Sequence, residues 1–211
     1  DLFLVEVDAV DQLLDRVGAG LNRALEELVQ QGKVRTLGSS NFSGWQVAEA
    51  DHTAAAANTA RFAVSQMEWN LLKRHVEDEI VPACRHYNVS IMPFYPIASG
   101  LLTGKYRQGQ TFPTGTRLAD IDFYARVASD GNLDKVEKLI AFAEKRGHSI
   151  LDLALSWLSG QPGVSSVLVG ASSVGQLEKN VERVFGDPRR ALNTPDPSNG
   201  ATVQQVPDIA V

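Results

Sequence analysis

Short apolar β-type runs alternate with helical patterns for most of this 211-residue chain, and that alternation predicts an α/β protein built from parallel βαβ units. Two further observations support the class. The clearest strand, around Val34 to Leu37, ends in a polar turn, Gly38-Ser39-Ser40-Asn41-Phe42-Ser43. Near the other end, Val169-Gly170-Ala171-Ser172-Ser173 runs from a strand pattern through a Gly/Ser turn into a helix. In α/β folds the carboxyl ends of parallel strands are where ligands bind.

Taken in order, residues 2–7 are read as a strand and 22–31 as a helix stopped by Gly32. The strand at 34–37 is too short to be anything else. Ser43 with Gln46 three residues on forms a capping box for a helix over 44–56. A strand at 63–67, a helix at 75–87 and a strand at 89–95 follow. Residues 98–130 read as a long irregular segment. Helices are predicted at 133–145 and 150–158, a fifth strand at 166–169 and a last helix at 174–184. From Gly186 to Val211 there are four prolines, few large apolar residues and no period, so 186–211 reads as an unstructured surface tail.

Composition narrows the function classes. The apolar content is ordinary, and no apolar run approaches the length needed to span a bilayer. A net charge of −5 argues against a nucleic-acid partner, which favours a basic face. The lone Cys84 sits in the helical pattern Ile80, Val81, Cys84, Tyr87 and reads as a buried structural thiol, in keeping with a reducing, cytoplasmic setting. His52, His75, His86 and His148 lack ligand spacing, so no metal site is expected. The acidic, apolar opening from Asp1 has no basic leader and is read as an N-terminal truncation, neither a signal peptide nor an intact start.

Four segments together resemble the aldo-keto reductase family. The first is the Gly38 to Ser43 turn with Gln66 at the end of the next strand. The second is Phe94-Tyr95-Pro96-Ile97-Ala98-Ser99-Gly100-Leu101-Leu102-Thr103-Gly104-Lys105-Tyr106. The third is Gly170-Ala171-Ser172 with Gln176, Leu177 and Asn180, similar to the branch that includes the potassium-channel β-subunits and related bacterial reductases. The fourth is the opening strand, Asp1-Leu2-Phe3-Leu4-Val5-Glu6-Val7-Asp8.

The resemblance implies a (β/α)8 TIM barrel, here an N-terminally truncated one holding about five of eight strands. Residues 1–185 would supply strands 4–8 and a cofactor half-site. The two open edges of such a piece invite self-association or pairing with the missing half. The implied activity is NADPH-dependent reduction of an aldehyde or ketone to an alcohol. Ser40, Asn41 and Gln66 would hold the nicotinamide carboxamide, which both donates and accepts in one plane. Phe94 would stack on the nicotinamide ring, with Tyr95, Pro96 and Ile97 beside it, Tyr95 replacing the small polar residue usual there. Gly100 and Gly104 would let backbone approach the pyrophosphate, and Lys105 and Arg117 would meet its charge. Gly170, Ser172, Gln176, Lys179 and Asn180 would take the adenosine end, its phosphate against a helix N-terminus, which favours NADPH over NADH. Lys179 stands where the pattern usually has a glutamate.

Glu6 occupies the position of the family's catalytic histidine, either as a carboxylic acid kept protonated or as a sign that the segment from Val7 to Ala19 departs from the pattern. The family's acid, a tyrosine supported by lysine and aspartate, belongs to earlier strands. None of Tyr87, Tyr95, Tyr106 or Tyr124 lies in a matching motif. Two other readings stay open: a cofactor-binding module without turnover, and a fragment without a stable fold.

Overall fold

The computed structural model describes residues 2–6, 20 and 22–185. The predicted tail at 186–211 and the divergent segment at 7–19 lie outside them. The described residues fall into two compact units. One holds the residues up to Trp69, with Lys73–Phe94 and Gly163–Ser166; the other holds Asn70–Leu72, Tyr95–Pro162 and the residues from Val167 on.

The first unit is a parallel sheet of four strands in sequential order: β1 (Leu2–Glu6), β2 (Thr36–Ser40), β3 (Phe62–Glu68) and β4 (Ser90–Phe94). Helices α1 (22–30), α2 (Gly44–Ala57) and α3 (Ile80–His86) supply the crossovers that parallel strands require. Leu25 of α1 is buried with Val34 and Leu37, backed by Leu28, Val29, Ala60 and Phe62. Strand alternation sorts the sheet into two faces. Ser39, Ser65, Met67 and Ile91 lie on the buried face, with the Ser39 and Ser65 hydroxyls 3.2 Å apart. Cys84 of α3 bonds to Ser65 on the same side and is fully buried; that burial pushes its thiol up to about 11, so it is structural and unreactive. Ser40, Gln66, Met92 and Phe94 have the opposite parity.

Helix α2 begins as the capping box predicts. The Ser43 N–H donates to Gln46 Oε1 at 2.8 Å. Glu79 Oε1 accepts from the Trp45 N–H at 2.9 Å, placing a carboxylate at the positive end of the helix. Gly44 makes that approach possible, because a Cβ there would stand 2.5 Å from Glu79 Cγ and 2.8 Å from its carbonyl oxygen.

Three expectations are corrected here. The strand predicted at 34–37 instead runs Thr36–Ser40, because cross-strand partners satisfy the polar end that reads as a turn. The helix predicted at 75–87 divides into a 3-10 turn, His75–Glu77, and α3. Pro82 explains the division: it lacks an N–H and is tolerated only in a first turn, where α3 places it. The fifth strand predicted at 166–169 does not form, so the described sheet has four strands. One parallel bridge, Ile91 to Val164, takes its place: Ile91 N donates to Gly163 O (2.8 Å), and Ser165 N to Ile91 O (3.0 Å). The next residue of β4 facing that edge is Pro93, which has no N–H to extend the ladder.

The second unit is helical. The segment predicted to be irregular holds a 3-10 stretch, Ala98–Thr103, and two single-turn helices, α4 (Arg117–Asp120) and α5 (Asp122–Ala125). Then come α6 (Asp130–Glu144), α7 (Ile150–Ser159) and α8 (Val174–Phe185). Ser149 and Asp152 cap α7 reciprocally, at 3.0 and 3.1 Å. Buried Leu153, Leu155, Trp157 and Leu158 of α7, with Val136, Leu139 and Ile140 of α6 and Leu101 and Leu102 of the 3-10 stretch, make the core. Among the described residues no helix is long and apolar enough to cross a membrane.

Candidate cofactor site

Parallel pairing assembles the candidate residues of the first unit. Register aligns Glu6 with Ser40, Ser40 with Gln66, and Gln66 with Met92, giving one row that ends β1 and β2 and lies two residues before the ends of β3 and β4. Asn41 leaves β2 in the left-handed region (φ 60°), and its N–H donates to the Gln66 carbonyl at 2.9 Å. That bond ties the turn to the neighbouring strand. Ser40 is buried, Gln66 half-buried and Asn41 exposed. Phe94 ends β4 two residues beyond Met92 on the same face and is half-buried. The geometry brings Ser40, Asn41 and Gln66 together; Glu6 joins their row by backbone register.

The helical unit carries candidate residues of its own, on the segment from Tyr95 to Lys105. Tyr95, Ala98 and Ser99 have φ of 53°, 46° and 57°, and Gly100 and Gly104 have 100° and 82°. Left-handed backbone at three side-chain-bearing residues stores strain, which marks functional segments. Pro96 is buried and Ile97 half-buried. At Gly100 a Cβ would fill the space 3.5 Å from Lys105 Cε and 3.6 Å from Tyr106 Cε2, so glycine keeps the backbone open beside the ammonium group. Gly104 lets the chain pass Ile150, whose Cγ2 a Cβ would meet at 3.3 Å. Lys105 is exposed, its Nζ 4.9 Å from the centroid of the buried Tyr106 ring. Arg117 opens α4.

A bidentate ion pair anchors the next residues. Arg107 Nε and Nη2 donate to the two Glu137 carboxylate oxygens at 2.7 and 2.6 Å, and Gln108 N–H joins at 3.3 Å. The hydrogen bonds from Arg107 hold the Glu137 carboxyl below its ordinary 4.5. A depressed carboxylate contributes stability above its unfolded value and loses it as pH falls through the folded one. Acidification below 4.5 is therefore expected to release this loop, read as faster proteolysis between residues 107 and 129. Glu137→Gln should release it already at neutral pH and flatten the dependence.

A second group of candidate residues in the helical unit lies at the start of α8. Ser173 Oγ accepts from the Gln176 N–H at 3.3 Å, and Gln176 Oε1 accepts from the Ser172 N–H and hydroxyl at 2.8 and 3.0 Å. Gly170, Ser172, Gln176 and Lys179 are exposed and Asn180 half-buried. Ser172 and Gln176 are thus brought together, with Lys179 and Asn180 one turn further along the helix.

Sequence reasoning stops at Gln66 and misses Asn70. This residue is 1% exposed; its Nδ2 donates to the Tyr95 carbonyl (3.1 Å) and its Oδ1 accepts from the Leu72 N–H (3.0 Å). The available signal is an amide placed just past a strand end, a position from which a side chain can bond a neighbouring turn.

A sequence model of the aldo/keto reductase family matches residues 5–185. A probable voltage-gated potassium channel subunit beta of Oryza sativa is 34% identical over 165 residues, covering 76% of this chain and 50% of that protein. L-glyceraldehyde 3-phosphate reductase of Escherichia coli is 33% identical, over 75% of this chain and 47% of the enzyme. An uncharacterized oxidoreductase of Bacillus subtilis, YrpG, is 29% identical, over 76% and 47%. The chain spans about half the length of the curated relatives it matches. The family implies a (β/α)8 barrel, and the described residues show an α/β arrangement with a parallel sheet. The match covers most of the described residues, and the chain belongs to the aldo/keto reductase family.

Proposed function

We propose that this chain carries the cofactor-holding part of an NADPH-dependent oxidoreductase that reduces an aldehyde or ketone to an alcohol. The observation that carries the reading is the row near the strand ends: Ser40 in register with Gln66, and the Asn41 N–H bonded to the Gln66 carbonyl. An amide and a hydroxyl fixed this way can donate to and accept from the planar carboxamide of a nicotinamide. Bound NADPH supplies the hydride. Ser40, Asn41 and Gln66 orient the ring, and Phe94 offers it a flat face. The open backbone at Gly100 and the Lys105 ammonium suit the pyrophosphate, while Ser172, Gln176 and the first turn of α8 suit the adenosine phosphate. No residue of the chain is assigned the proton transfer, and Glu6 enters only as the neighbour of Ser40 in register.

The test is titration of the chain with NADPH and with NADH, followed by nicotinamide fluorescence, with turnover of a reactive aromatic aldehyde measured alongside. Saturable binding is expected, with NADPH preferred by roughly tenfold, the size of one charge-assisted contact. Binding with aldehyde reduction supports the oxidoreductase. Binding without turnover assigns the chain to a non-catalytic cofactor module. Absence of binding overturns the reading.

A further inference from the structure

We infer that Asn70 is the positioning residue of the segment from Tyr95 to Lys105, acting on cofactor affinity through the left-handed turn at Tyr95; the inference rests on the cofactor reading above. The Asn70 carboxamide is buried and fully directional. It receives the Leu72 N–H on its oxygen and delivers its own N–H to the Tyr95 carbonyl. Tyr95 needs such a hold. A bulky residue at φ 53° is disfavoured in isolation and persists only where its surroundings over-determine it.

Two further contacts show what the hold sets. The same Tyr95 carbonyl accepts from the Ala98 N–H at 3.0 Å, so the oxygen fixed by Asn70 also starts the turn leading to Gly100. The Tyr95 ring meets Tyr124 of α5 edge-on, 6.5 Å between centroids, so the direction of Tyr95 also governs its contact with α5. Asn70 thus fixes the first residue of the segment whose glycines and lysine form the open backbone. Leu72, Asn70 and this segment belong to one compact unit, whereas the strand that leads to Asn70 belongs to the other.

The decisive variant is Asn70→Asp in the full chain. It keeps shape and the oxygen that accepts from Leu72, removes the donor to Tyr95, and puts a negative charge against that carbonyl. NADPH binding should weaken roughly tenfold, the loss of a buried hydrogen bond plus an unpaired acceptor. Binding of adenosine 2′-monophosphate, which needs only the α8 end, should be unchanged. A merely structural role would weaken both ligands together. Adding Tyr95→Gly to Asn70→Asp should recover part of the NADPH affinity, because glycine adopts the left-handed turn without support.

If Asn70→Asp fails to fold, Asn70→Ser serves, since serine is too short to span both groups. NADPH affinity unchanged by a folded variant, or equal losses for both ligands, overturns the inference and leaves the cofactor reading intact. A parent chain that binds neither NADPH nor adenosine 2′-monophosphate overturns the cofactor reading, and this inference with it.

Discussion

Replacing Trp69 by alanine is expected to destabilise the protein by about 3–5 kcal/mol, the largest single-site loss the structure supports. Trp69 follows directly on β3 and is 1% exposed. Its indole N–H donates to Glu77 Oε1 at 3.0 Å, and Glu77 also receives Arg74 through Nε and Nη2 at 2.7 and 2.8 Å. Burial pushes the Glu77 carboxyl upward, but the Arg74 and Trp69 donors outweigh it and hold the group below its ordinary range. Alanine removes both the aromatic volume and one of those donors. The midpoint of thermal unfolding should fall by roughly 10 °C for a domain of this size. Trp69→Phe separates the two contributions: it keeps most of the volume and should cost only about 1 kcal/mol for the lost hydrogen bond. Equal, small shifts for both variants would show that Trp69 is not a keystone of this core.

Lys105→Ala is expected to lower NADPH affinity by about ten- to a hundredfold while leaving thermal stability unchanged. Lys105 is exposed, and its neighbour Tyr106 is wholly buried, edge-on to Phe112 at 5.1 Å between centroids. The buried ring fixes the base of the lysine and keeps its ammonium beside Gly100, where a Cβ would lie 3.7 Å from Nζ. A cation held at open backbone contributes about 1.5–3 kcal/mol to a hydrogen bond with an anionic group, which converts to that fold-change. The salt dependence is the diagnostic. Affinity of the parent should fall as ionic strength rises, and that of the alanine variant should fall less steeply. Lys105→Arg keeps the charge and should retain most of the binding. An alanine variant with parental affinity would remove Lys105 from the site.

Much of the fold is legible in residue pattern because the causes are local. The capping boxes at Ser43 and Ser149 and the apolar period of α6 and α7 each lie within a few residues of what they specify. The candidate site is half legible for the same reason. The Gly38 to Ser43 turn, the Tyr95 to Tyr106 run and the Ser172 to Asn180 run are contiguous strings, whereas Asn70 is visible only through the carbonyl it meets, 25 residues away.

By itself the sequence determined the α/β class, the helix starts at Gly44, Ile150 and Val174, and membership of the aldo/keto reductase family. It did so because hydrophobic period, capping chemistry and contiguous motifs are written along the chain. Only the tertiary structure decided that β2 extends through Ser39 and Ser40, since both pair with β3 and the Ser39 hydroxyl bonds Ser65. It alone replaced the fifth strand by a single bridge at Val164, where Pro93 lacks the next donor. And it alone gave Asn70 its place. In each case the deciding partner is remote in sequence, and a hydrogen bond between distant residues leaves no period or spacing behind.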